Sequence, residues 1–146
     1  MGVAQGVDGY SVGTSTNLRR RPGRWTAVQL PPDAASPARA RRFVEHVLDE
    51  CPEEVVEVAS LLTTELVANV VRHAGTPMRI AVGVGDGRAR IEVSDSSFAL
   101  PMARHDDRGA DTGRGVVIIE RLADAWGVAP FPGGKTVWVE VGAPVL

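Results

Sequence analysis

The sequence predicts an α+β fold: a two-layer sandwich with helices on one face of a mixed, mostly antiparallel sheet. Three observations carry this. Two amphipathic helical stretches follow one another between residues 36 and 75, an alternating strand pair flanks Gly85-Asp86-Gly87, and the chain closes on a strand bearing Val137, Val139 and Val141. No internal repeat interrupts that order. The length of 146 residues suits one domain, expected over 24–142. A chain of that size can bury a core without disulfides. Its one cysteine, Cys51, excludes an intrachain disulfide or a zinc site of several thiolates, and a reducing, cytoplasmic setting is expected.

Residues 1–23 hold Gly2, Gly6, Gly9 and Gly13 among Ser and Thr without apolar periodicity, so a flexible tail is expected. Trp25 to Leu30 predict a first strand, stopped by Pro31-Pro32. Ser36 before Pro37 reads as an N-cap and first helical residue, and Ala40, Phe43, Val44, Val47 and Leu48 give a helix to about Glu50. Pro52 reopens a second, longest helix. Glu53 and Glu54 suit its positive N-terminus, Val55, Val58, Ala59, Leu62, Leu66 and Val70 form its buried stripe, and Gly75 ends it.

The hairpin follows, Met78, Ile80, Val82 and Val84 pairing with Ala89, Ile91 and Val93, with one buried face expected. Residues 96–112 lose periodicity, and a loop of that length suggests a lid. From Gly115, the residues Val116, Ile119, Leu122, Ala123 and Trp126 predict a third helix. A short strand near Val128, a turn at Pro132-Gly133-Gly134 and the final strand complete the chain.

A net charge of −2 and a pI of about 5.9 argue against direct nucleic-acid binding, which needs a concentrated basic face. No stretch is apolar enough to span a membrane, and Arg19-Arg20-Arg21 is followed by Pro22-Gly23-Arg24 rather than an export signal's apolar segment. Fifteen of the sixteen basic residues are Arg and only Lys135 is Lys, a bias that points to no function by itself.

Four features invite chemistry. Glu65, Asn69 and His73 fall at i, i+4 and i+8, one polar stripe on the second helix, although such stripes are commonly just solvated faces. Asp95 ends a hydrophobic strand, where it can face a pocket or cap an Asx turn with the serines that follow. Gly113-Arg114-Gly115 opening a helix can let backbone N–H groups approach a phosphate, or can simply be a tight turn. Thr136 starts the last strand, where it also fits as a plain β-former.

In this order, these segments resemble the GHKL ATP-binding superfamily of gyrase, heat-shock chaperone, histidine kinase and mismatch-repair ATPases, and within it the anti-sigma factor serine/threonine kinases. Glu65-Leu66-Val67-Ala68-Asn69-Val70-Val71-Arg72-His73-Ala74 is similar to their N box, Val93-Ser94-Asp95 to the first glycine box and Thr112-Gly113-Arg114-Gly115-Val116 to the second. The resemblance runs from about Trp25 to Val141 and implies the family's histidine kinase-like (Bergerat) ATP-binding fold. It further implies that Asn69 ligates the Mg²⁺ bridging the ATP phosphates and that Asp95 accepts from the adenine amino group. By the same resemblance Gly113, Arg114 and Gly115 wrap the phosphates, Thr136 lies near the adenine, His73 joins the nucleotide site, and Glu65 is the general base.

One departure stands out: the first glycine box usually reads Asp-x-Gly-x-Gly, and here Ser96-Ser97-Phe98-Ala99 follows Asp95. Losing both glycines weakens the case for turnover more than that for binding. The resemblance therefore implies an ATP- and Mg²⁺-dependent kinase that holds a sigma factor and phosphorylates an anti-sigma antagonist on serine, and it admits a homodimer. The rival is a non-catalytic or weakly catalytic ATP-gated module that switches partners. A histidine kinase is disfavoured, since 146 residues leave little room for a phospho-accepting helix pair.

Overall fold

The computed structural model describes residues 23–97 and 117–142, so the expected tail and most of the expected lid lie outside the described residues. Five strands form one sheet: β1 (Arg24–Leu30), β2 (Met78–Gly85), β3 (Arg88–Asp95), β4 (Ala125–Phe131) and β5 (Gly134–Val141). Their spatial order is β1-β2-β3-β5-β4, and all four pairings among the described residues are antiparallel. The β4–β5 hairpin folds back so that β5 enters the sheet beside β3, with Val93 opposite Val137 and Asp95 opposite Lys135.

Two helices, α1 (Ser36–Val47) and α2 (Glu53–Asn69), pack on each other and on one face of the sheet. The core is where Val44, Leu48, Val55, Leu62 and Leu66 meet Ile80, Val82, Ile91, Val93, Val137 and Val139, all buried. Each such side chain contributes roughly 1.5–3 kcal/mol relative to exposure. The expected stripe on α2 is buried, except that Val58 is half-buried. The β2–β3 turn has φ of 55° at Asp86 and 74° at Gly87, the left-handed pair that matches the twist of a two-residue hairpin.

Four expectations need correction. The N-cap of α1 is Ala35 rather than Ser36, because Asp33 organises the entry: its Oδ1 accepts from the Ala35 N–H at 3.0 Å, while the Ser36 hydroxyl donates to the Pro31 carbonyl at 2.5 Å. The helix at 117–122 stops early, and Trp126 lies in β4 with its side chain in the core. The longest helix does not end as an α-helix, since Val70–Ala74 widen into a π turn closed by the Gly75 N–H on the Val70 carbonyl at 2.8 Å. Gly75 is left-handed with φ of 65°, the terminator expected of it.

Finally, the hairpin's second face is partly covered: Arg79 is exposed and Glu92 and Ser94 are half-buried, but not every residue there faces water. Opposite the helices, Ala81, Gly83, Arg90, Trp138 and Glu140 are also buried. Trp25 lies on Gly83 and Trp138 on Gly127, where an added Cβ would fall within 2.6 and 2.8 Å of the rings. Arg90 on this face donates to Glu140 at 2.6 Å and Glu92 at 2.8 Å, with its guanidinium 4.2 Å from the Trp138 ring centroid. Alternation alone misses this layer because Gly83, Arg90 and Glu140, which help to build it, are not apolar side chains. Among the described residues no helix is long and apolar enough to cross a membrane.

Candidate functional site

Asp95 is the last residue of β3 and lies on the helix-facing side with Ile91 and Val93. Its Oδ1 accepts the Ser97 N–H at 2.7 Å, the Asx turn that its serines favour. A second contact was not legible as a site. The Lys135 ammonium donates to Oδ1 at 2.9 Å and Oδ2 at 3.0 Å, and approaches the Ser97 carbonyl at 3.3 Å. The pair is shut from water, the side chains being 1% exposed for Asp95 and 6% for Lys135. Gly134 makes this closeness possible, because a Cβ there would collide with the Asp95 carbonyl oxygen.

Glu65 and Asn69 are half-buried one turn apart near the C-terminal end of α2, beside buried Leu62 and Leu66. The Asn69 amide oxygen accepts from Arg72 at 3.2 Å. His73, in the π turn, is exposed; the wider turn rotates it away from the stripe that a continuous α-helix would give. The chain then returns to Asp95: Thr76 accepts the Ser96 N–H at 3.1 Å and donates to the Pro77 carbonyl at 3.1 Å. One hydroxyl thus ties the connector between the helix and β2 to the residue that follows β3.

Thr136 is not brought to Asp95. Strand alternation turns it to the opposite face, where its hydroxyl bonds that of Ser94 at 2.7 Å. It is Lys135 that lies beside Asp95. Its parity with Val137, Val139 and Val141 puts it on the helix side of β5. Gly113, Arg114 and Gly115 lie outside the described residues. Cys51, half-buried between α1 and α2, has its thiol pKa pushed up, chiefly by burial, which keeps it protonated rather than nucleophilic.

The donor set suits a magnesium nucleotide better than a protein-caged metal. Among the described residues no group of three or more His, Cys, Asp or Glu side chains is placed to hold an ion. The Asn69 amide oxygen already faces a cation in Arg72, and it is the type of oxygen that Mg²⁺ takes alongside phosphates and water.

An antiparallel sheet backed by a Glu-x3-Asn helix, with a carboxylate at the adjoining strand end, defines an α+β sandwich domain. The chain belongs to the histidine kinase-like ATPase domain family, whose model matches residues 30–141, and the ATP-binding character of that family comes with membership. No curated protein matches the chain.

Proposed function

We propose that this protein is an ATP-dependent serine/threonine kinase of the anti-sigma type, holding a sigma factor and phosphorylating an antagonist protein on serine. The observation that supports this most is the half-buried Glu65 one turn before Asn69, at the C-terminal end of a helix that packs on the strand ending in Asp95. In this reading Asn69 holds the Mg²⁺ of Mg-ATP, Asp95 takes the adenine amino group, and Gly113, Arg114 and Gly115 wrap the phosphates. The partner's serine oxygen attacks the γ-phosphorus as its proton passes to Glu65, the bond from the γ-phosphorus to the bridging oxygen breaks, and ADP leaves.

Glu65→Gln tests the reading. It should leave Mg-ATP affinity within a few fold of wild type while phosphate transfer to an antagonist falls by roughly 10² to 10⁴. Equal transfer by both proteins would remove Glu65 from the role of base.

A second reading, a nucleotide-gated binding module with little or no turnover, is favoured by Asp95-Ser96-Ser97, where an Asx turn replaces the glycine-rich hinge. A wild-type protein that binds Mg-ATP and a sigma factor yet transfers no phosphate would establish it over the kinase.

A further inference from the structure

We propose that Lys135 is a built-in competitor for the base-reading carboxylate: its ammonium holds both oxygens of Asp95, and an adenine amino group binds by displacing it from Oδ2. The proposal rests on the reading of Asp95 as the adenine contact.

A carboxylate offers about four lone-pair positions, two on each oxygen. Oδ1 takes the Ser97 N–H at 2.7 Å and the ammonium at 2.9 Å, so it is full. Oδ2 takes the ammonium at 3.0 Å and keeps one position among the described contacts. The ammonium has three protons and three acceptors, the third being the Ser97 carbonyl at 3.3 Å. The carboxylate is 1% exposed and the ammonium 6%, so a base reaches the position left on Oδ2 only once the ammonium swings aside.

Lysine is the group able to leave. Its charge rides on a four-carbon stem with rotatable donors, whereas the backbone beneath it is pinned, Gly134 being pressed on the Asp95 carbonyl. On displacement the ammonium can keep Oδ1 and the Ser97 carbonyl and surrender Oδ2 alone. ATP affinity is then set by an exchange of one charge-assisted hydrogen bond for another rather than by a free carboxylate. Only a ligand carrying a base can make that exchange. The triphosphate part cannot.

The test is calorimetric titration of wild type, Lys135→Met and Lys135→Gln with Mg-ATP and with magnesium tripolyphosphate. Lys135→Met should bind Mg-ATP roughly tenfold or more tightly than wild type, the size of one charge-assisted hydrogen bond, and Lys135→Gln should fall between them. Tripolyphosphate affinity should be the same in all three. Should Lys135→Met lose cooperative melting because a buried carboxylate is left bare, Lys135→Gln, which retains a donor for Asp95, carries the comparison. Lys135 is the only lysine, so ¹⁵N-lysine labelling gives one side-chain ammonium signal. That signal should shift with saturating Mg-ATP and stay put with tripolyphosphate. Variants that bind Mg-ATP no better than wild type, or an ammonium signal indifferent to ATP, overturn the role of Lys135 while leaving the nucleotide site intact. Failure of wild type and both variants to bind Mg-ATP overturns the site itself, and the proposal with it.

Discussion

The β3–β5 ladder carries two buried ion pairs, Arg90 with Glu140 and Lys135 with Asp95, each formed by residues directly opposite in the antiparallel register. Their chemistry differs. Arg90 lies on the face away from the helices, where its planar fork reaches Glu92 and Glu140 together and stacks on Trp138. Lys135 lies on the helix side at the end of the ladder, a point charge facing one carboxylate beside a backbone turn. A guanidinium held by two carboxylates and a ring has no simple way to leave. An ammonium held by one carboxylate does. The same register thus yields a fastener at one position and an exchangeable contact five residues along β3, and the choice of cation decides which.

The comparison breaks if the two pairs respond alike to the loss of one partner. Arg90→Met should produce the largest effect, a loss of about 3–5 kcal/mol in urea unfolding, because it strands Glu140 in a site where its Oε1 already has no partner. Adding Glu140→Leu should recover most of that loss, since the uncompensated charge is then gone. Persistence of the full loss in the double variant would assign it to packing against Trp138 instead.

Asp95→Asn should act on the other axis. A stability loss of about 1.5–3 kcal/mol is expected, that of one charged hydrogen-bonding partner. Its stronger signature is functional: weaker Mg-ATP binding and a reduced preference for ATP over GTP in calorimetry. Unchanged preference would mean that the base is read elsewhere.

The smallest effect sharpens the assignment of faces. Thr136→Val removes a single neutral hydrogen bond to Ser94, so stability should fall by about 0.5–1.5 kcal/mol with Mg-ATP affinity unmoved. A tenfold loss of affinity would return Thr136 to the base site.

Much of this was legible in advance where the signal is local. The period of Val55, Ala59, Leu62 and Leu66 specifies α2 because a 3.6-residue turn places them on one line, and Asp86-Gly87 specifies its hairpin because left-handed residues suit that turn. Trp126 was misassigned because its spacing from Ile119 and Leu122 fits a helix, whereas its burial comes from strand alternation with Val128. The motif residues Glu65, Asn69 and Asp95 stood out by type and order. Lys135 did not, since its partner lies forty residues away and only strand pairing makes them neighbours.

Most helical and extended segments, the turns and the residues fit to handle a nucleotide are set locally, because they follow from periodicity, backbone preference and side-chain chemistry within a few residues; the switch from helix to strand before Trp126 is not. Long-range strand pairing sets β5 between β3 and β4, and with it Lys135 meets Asp95, Arg90 meets Glu140 and Thr136 faces away. Cross-strand register is a global property: a slip of one residue would turn every side chain of β5 to the other face. What fixes it is the fit of Val137, Val139 and Val141 into a core that exists only once the helices are in place.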